Sequence, residues 1–191
     1  RMKFASVGAT ENLLMAASLA EGTTILKNAA CEPEIADLVH FLRKMGADIA
    51  GEGTSVIRVR GKRRLHGAGH TVIPDRIEAA TYLIAAAATG GKVTLTGVIP
   101  QHIRIVLEYL KRAGQKILVE KTGECARVTC AFGGKRLPVS VRTGTYPKFP
   151  TDVQAQWMAL MALSDGSGVI EETIFENRFL HAAELSRMGA D

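Results

Sequence analysis

Two apolar patterns alternate along the chain. In the first, residues 9–20, 77–88 and 153–163 are apolar on nearly every side. The first of these stretches, with Leu13, Leu14, Met15, Ala16, Ala17, Leu19 and Ala20, leaves almost no polar face before it closes at Gly22. Helices of that kind are predicted to be buried all round. In the second pattern, Ile35, Leu38, Val39, Leu42 and Met45 recur at three and four residues against Glu34, Asp37, Arg43 and Lys44. That spacing predicts a helix with one face on a core and the other in water. Short runs at 48–50, 55–60, 116–120 and 126–132 read as strands.

The patterns repeat. Gly22-Thr23-Thr24-Ile25-Leu26 is echoed by Gly90-Gly91-Lys92-Val93-Thr94-Leu95 and by Gly166-Ser167-Gly168-Val169-Ile170. Further on, Phe41-Leu42-Arg43-Lys44-Met45-Gly46 is echoed by Tyr109-Leu110-Lys111-Arg112-Ala113-Gly114 and by Glu184-Leu185-Ser186-Arg187-Met188-Gly189. Gly22 and Gly46 are 24 residues apart, as are Gly90 and Gly114, while Gly166 and Gly189 are 23 apart. The repeating unit reads helix, strand, helix, strand, strand, and is longer than the usual solenoid periods. Wholly apolar helices belong inside and the small sheets outside, the reverse of a common barrel. A conventional α/β layer fold is the alternative arrangement of the same elements.

One junction stands out. Phe149-Pro150-Thr151-Asp152 leaves an extended Tyr146-Pro147-Lys148 approach and enters the third apolar helix. Pro150 disfavours helix at Phe149, so the helix starts after it. Thr151 or Asp152 then stands where an N-cap belongs. Asp152 is either a plain cap or a base aimed at a ligand, and a carboxylate there is favoured by the helix dipole.

Composition narrows the class. With 191 residues and 47% apolar content, the chain can bury a sizeable core as one domain or two small ones. No apolar run reaches the roughly 18 residues of a membrane span, and because Arg1-Met2-Lys3-Phe4 runs directly into a helix start, no signal peptide is expected. Three cysteines without a C-x-x-C pair fit a reducing, cytoplasmic setting. Cys125 and Cys130 point to opposite faces of a strand and should not bridge. The net charge of +5 suits an anionic partner. Arg58, Arg60, Lys62, Arg63 and Arg64 alternate with Ile57 and Val59 at their start, which reads as a strand end with a solvated face. A nucleic-acid-binding module is the other reading of this run, but no aromatic residue interleaves with it to stack bases.

Four motifs in register now carry a resemblance: Ser6-Val7-Gly8-Ala9-Thr10-Glu11-Asn12, Ile73-Pro74-Asp75-Arg76-Ile77-Glu78, Phe149-Pro150-Thr151-Asp152 and Phe175-Glu176-Asn177-Arg178-Phe179. Over essentially its whole length the chain resembles the enolpyruvyl transferases of peptidoglycan synthesis, the UDP-N-acetylglucosamine 1-carboxyvinyltransferases. The resemblance implies an inside-out α/β barrel of two lobes, each of three units. It implies an internal segment, with residues 1–71 ending the first lobe and 72–191 opening the second. The family's acid cysteine then falls upstream of Arg1, and none of Cys31, Cys125 and Cys130 is its counterpart. Cys31 stands where the family usually has arginine. The shikimate-pathway enolpyruvyl transferase shares the fold, but its substrate-binding motifs do not appear.

The implied reaction joins the 3′-hydroxyl of UDP-N-acetylglucosamine to carbon 2 of phosphoenolpyruvate and releases phosphate. By resemblance, Asp152 is the base or orienting group for that hydroxyl. Phe4, Ala5, Ser6, Val7, Gly8 and Ile174 match nucleotide-binding positions. Ser6 and Val7 also sit where backbone N–H groups can meet a phosphate. Arg76 and Arg178 suit a carboxylate or phosphate, or else form structural salt bridges with Asp75, Glu78 or Glu176. Glu32 and Asp75 stand at helix starts, as caps or as cleft residues. His66 and His70 lack an acidic or cysteine companion in the sequence and read as part of a glycine-rich loop, not a metal pair. No P-loop or dinucleotide fingerprint occurs. We therefore expect no cofactor, no metal, no nucleic acid and no membrane partner, and a monomeric full enzyme.

Overall fold

The computed structural model describes residues 1–191, which divide into two compact units, Arg1–Ile73 and Pro74–Asp191.

The first unit contains α1 (Val7–Leu19), β1 (Thr23–Lys27), α2 (Pro33–Lys44), β2 (Asp48–Ala50) and β3 (Val56–Arg60). Ser6 caps α1 by accepting from the Ala9 N–H at 3.3 Å. Pro33 suits the first position of α2, where a missing N–H costs nothing. The strands form an antiparallel sheet in the order β1-β3-β2, with Leu26 opposite Ile57 and Ile49 opposite Val59. Alternation decides the faces of β3. Ile57 and Val59 are wholly buried, while Arg58 and Arg60 are exposed, so this part of the basic run is the outer face of a sheet. Ile35, Val39 and Leu42 of α2 close the core from the other side, each burial contributing roughly 1.5–3 kcal/mol. Arg43 fastens the sheet by donating to the Ile49 carbonyl and gripping Glu52 with two nitrogens. Those hydrogen bonds hold the Glu52 carboxyl below its ordinary pKa.

The second unit repeats the plan with α3 (Arg76–Thr89), β4 (Lys92–Val98), α4 (Arg104–Arg112), β5 (Lys116–Thr122) and β6 (Cys125–Ala131). Its sheet runs β4-β6-β5, the same order and the same antiparallel sense as the first. A third and partial copy follows: β7 (Val141–Arg142), α5 (Gln154–Met161), β8 (Ile170–Glu171) and α6 (Leu180–Arg187). Here β7 and β8 pair in parallel. Helix α5 packs on α3, with Gln156 Nε2 donating to Thr81 Oγ1 at 3.0 Å. Trp157, Leu83, Leu110, Val128 and Leu160 are completely buried. Cys130 lies in the same core, and burial pushes its thiol up to about 11.

Three expectations change. None of the apolar helices is buried on all sides: Leu13, Met15 and Leu19 of α1 are 42%, 47% and 57% exposed, and Tyr82 and Ala85 of α3 and Ala155 of α5 are exposed as well. Helices α3 and α5 share a face with each other, whereas in its own unit α1 packs on the amphipathic α2 and the sheet. The approach to Pro150 is a turn containing a cis Tyr146–Pro147 peptide rather than an extended segment. His70 has an acidic partner after all, supplied from α2. Its Nε2 lies 2.8 Å from Asp37 Oδ1, and its ring stacks on Phe41 at 5.1 Å.

Gly61 shows how closely the first unit is built. Its N–H donates to the Gly22 carbonyl at 3.0 Å, and a Cβ at this position would collide with the Ala20 carbonyl. Gly61→Ala is expected to destabilise the protein by about 1–3 kcal/mol through overpacking. The readout is a lower urea midpoint at constant slope; an unchanged midpoint would mean that the loop moves aside freely.

Candidate functional site

Phe149 anchors the junction that precedes α5. It is 2% exposed and stands edge-on to Trp157 at 5.5 Å, with Tyr109 5.4 Å away. Trp157 is fixed in turn by its Nε1–H, which donates to the Val139 carbonyl at 3.2 Å. From this buried anchor Pro150 turns the chain outward, and Thr151–Val153 form a single 3-10 turn. Helix α5 begins only at Gln154, and neither Thr151 nor Asp152 caps it. The cap expected at this position is therefore absent. In the short 3-10 turn both side chains meet other partners instead.

Those partners come from the segment after β8. Arg178 Nη1 donates to Thr151 Oγ1 at 2.9 Å and to Asp152 Oδ1 at 3.0 Å. A guanidinium nitrogen of this kind has two hydrogens, and both are used here. The other three N–H groups of Arg178 make no hydrogen bond within the chain, while its plane lies over Phe175 at 4.9 Å. The Arg178 backbone carbonyl accepts from Gln154 Nε2 at 3.1 Å. The Asp152 side chain is half exposed, so its carboxylate is held on one side and open on the other.

Behind this pair stands Glu172, which sequence reasoning did not single out. Its Oε2 accepts the Thr151 hydroxyl at 2.8 Å. Its Oε1 accepts the Thr143 hydroxyl and the Ile174 N–H, both at 2.8 Å, and the Phe175 N–H at 3.3 Å. Burial alone would push the Glu172 carboxyl up. The hydrogen bonds from Ile174, Thr151, Thr143 and Phe175 together outweigh that and hold it below the ordinary value. The network thus contains Asp152, Arg178 and, through its backbone, Ile174.

The remaining candidates lie elsewhere. Asp75 caps α3, its Oδ1 accepting from the Ile77 and Glu78 N–H groups at 2.8 and 3.0 Å. Arg76 lies over the Tyr146 ring at 5.9 Å. It lines a hollow of about 190 Å³ together with Arg104, Tyr146, Lys148 and Pro150, which Asp152 does not line. In the first unit, Glu32 is buried at the start of α2 without capping it through its side chain. Phe4 is 71% exposed, and Ala5 follows it into the start of α1. The Ser6 N–H is taken by the Phe4 carbonyl. Val7 and Gly8 occupy the first two helical positions, whose N–H groups have no intrahelical acceptor. No group of three His, Cys, Asp or Glu side chains is arranged to hold a metal, and no helix is long and apolar enough to cross a membrane.

The comparisons with known proteins bear on the whole chain. Residues 1–191 match the family described as EPSP synthase (3-phosphoshikimate 1-carboxyvinyltransferase). The chain belongs to this carboxyvinyltransferase family. Among curated relatives, UDP-N-acetylglucosamine 1-carboxyvinyltransferase 1 of Caldanaerobacter subterraneus subsp. tengcongensis is 54% identical over 190 residues, covering 100% of this chain and 45% of the relative. The corresponding protein of Symbiobacterium thermophilum is 56% identical over 191 residues, covering 100% of this chain and 42% of its own length. The chain thus spans less than half the length of these carboxyvinyltransferases. The crystal structure of the enolpyruvyl transferase NikO from Streptomyces tendae matches with a TM-score of 0.75 at 29% identity, covering 94% of this chain and 42% of that one. The repeated α/β units described above are therefore the carboxyvinyltransferase fold.

A pH dependence follows from Glu172. Because its pKa is lower folded than unfolded, its stabilising contribution is fully present above the ordinary carboxylate value of about 4.3 and is lost as pH falls through the lower folded value. Unfolding measured from pH 6 down to about pH 3 should converge toward Glu172→Gln at the acid end. Parallel curves for the two proteins would show that Glu172 is not held in this way.

Proposed function

We propose that the protein carrying this chain transfers the enolpyruvyl group of phosphoenolpyruvate to the 3′-hydroxyl of UDP-N-acetylglucosamine, with release of phosphate. The observation that carries this reading is the Asp152 carboxylate, which Arg178 holds at one oxygen and no helix amide occupies. A carboxylate tied up as a cap could not accept a substrate proton, whereas one braced by a single arginine nitrogen can. The identity of 54–56% to relatives named for this reaction supports the same substrate class.

The chemistry assigns roles to the residues present. Protonation at carbon 3 of phosphoenolpyruvate makes carbon 2 electrophilic. The sugar hydroxyl attacks carbon 2, forming a carbon–oxygen bond while its proton passes to Asp152 or is oriented by it. Loss of a proton from carbon 3 then expels phosphate and restores the double bond. The three further N–H groups of Arg178 suit the carboxylate or phosphate of phosphoenolpyruvate, since a planar guanidinium can offer two parallel bonds. Phe4, Ala5, Ser6, Val7, Gly8 and Ile174 take the nucleotide, with the N–H groups of Val7 and Gly8 at a helix start facing its phosphates. Glu32, Asp75 and Arg76 are carried into this reading as substrate-binding residues from the family resemblance. The carbon 3 acid is not Cys130, which is wholly buried in β6. Three free thiols fit a reducing, cytoplasmic setting.

Asp152→Asn, made in the enzyme that carries this chain, is expected to lower turnover by about 10²-fold or more while uridine-nucleotide binding persists. Enzyme assays with phosphate release, alongside calorimetric nucleotide binding, measure both quantities. Undiminished turnover would remove Asp152 from the chemistry and this reading with it.

A further inference from the structure

Glu172 does more than satisfy the turn it sits in. Its two oxygens serve different stretches of chain: Oε1 takes Thr143, Ile174 and Phe175, whereas Oε2 takes only the Thr151 hydroxyl. Thr151 Oγ1 is the middle member of a chain of three groups. On one side is a carboxylate whose pKa is held low, which accepts only; on the other is a guanidinium, which donates only. A hydroxyl has one hydrogen and rotates to suit its neighbours, so its direction here is fully determined. The hydrogen points to Glu172 and a lone pair points to Arg178.

We propose that Glu172 is the positioning residue of this site: by holding the Thr151 hydroxyl in that one direction it fixes the Arg178 nitrogen that braces Asp152. Arg178 Nη1 has two hydrogens, one on Thr151 and one on Asp152. The first bond therefore sets the plane in which the second is made. It also sets where the remaining three N–H groups of Arg178 point. Glu172 touches no reacting atom in this scheme and acts through Thr151 and Arg178. The same carboxylate orders the Ile174 and Phe175 amides, so the turn carrying Ile174 and the turn carrying Asp152 are set by one group. This inference rests on the enolpyruvyl-transfer reading and adds a residue to it.

The substitution that tests it keeps shape and changes polarity. In Glu172→Gln the amide oxygen is needed where three donors converge, which leaves the amide nitrogen facing Thr151. Thr151 would then stand between two donors with no acceptor for its own hydrogen, and the direction in which its oxygen meets Arg178 would no longer be fixed. In the enzyme that carries this chain, Glu172→Gln should lower kcat by about 10–100-fold, with the uridine-nucleotide Kd changed by less than about threefold. Thr151→Val should show a similar loss and Thr151→Ser should recover most of the activity. The double variant Glu172→Gln with Thr151→Val should be no worse than Thr151→Val alone, because the two residues act through one bond. Losses that add fully would mean a structural role for Glu172 in the 172–175 turn, and would overturn the proposal. So would equal activity of Thr151→Ser and Thr151→Val, a comparison that holds even where Glu172→Gln does not fold. Asp152→Asn in the same preparation separates the two levels. A large loss there with none in Glu172→Gln sinks only the role of Glu172, and no loss in Asp152→Asn sinks the transfer reading and this inference together.

Discussion

A charged carboxylate that gives up part of its water has to be met by donors, and at the half-buried Glu172 four of them arrive from three separate stretches of chain. Thr143 comes from the end of β7, Thr151 from the 3-10 turn ahead of α5, and the Ile174 and Phe175 amides from the turn after β8. Beside this convergence, those stretches are joined by the two-residue β7–β8 pair, a bridge at Thr143 and Phe149, two hydrogen bonds between Thr143 and Thr173, and the bonds of Arg178 to Thr151, Asp152 and Gln154. So short a ladder is marginal by itself. The carboxylate therefore does for this corner what a longer sheet does in the complete repeats. It also gives the corner a polarity that a sheet would not supply, because an acceptor of charge-assisted bonds dictates which way each hydroxyl points.

The rigidity behind that corner comes from apolar packing. Phe149 is locked among Tyr109 and Trp157, and Trp157 is tied to the Val139 carbonyl. Three residues later the chain emerges half exposed at Asp152. The passage from a completely buried ring to an open carboxylate within one 3-10 turn is what lets a side chain on the surface be held as firmly as one in the core. Helix α5 would not do this as well, since a full helical start would draw Asp152 onto its own backbone N–H groups.

Much of the fold is legible in the residue pattern. The three-and-four spacing of Ile35, Leu38, Val39 and Leu42 marks α2 within a residue or two of its ends. The matched glycine intervals announce a repeated unit, and the two sheets built from it have the same strand order. Alternation of Ile57 and Val59 with Arg58 and Arg60 correctly assigns the faces of β3. What the pattern overstates is burial. Helices α1 and α3 are equally apolar, yet Leu13, Met15 and Leu19 of α1 are open where α3 is covered by α5. Periodicity reports which faces can be buried, and only the neighbouring elements decide which faces are.

The site is legible in part, and its gaps have physical causes. Asp152 and Arg178 each lie in a short motif that carries the family resemblance, and the structure brings the two side chains together. Their contact lies 26 residues apart in the chain and depends on a 3-10 turn that local preference did not distinguish from a capped helix start. Glu172 leaves no mark in the sequence, since it stands beside Glu171 and nothing local separates the two. Their difference is set by the strand: Glu171 pairs outward with Arg142 in solvent, and the next residue turns inward to two stretches, at Thr143 and Thr151, that lie far from it in the chain. The same blindness hid the Asp37–His70 pair, whose members are 33 residues apart. Positions whose role is to join distant stretches are therefore the ones a linear reading passes over. Here such a position, Glu172, is hydrogen-bonded to Thr151, which in turn accepts from the Arg178 that meets Asp152.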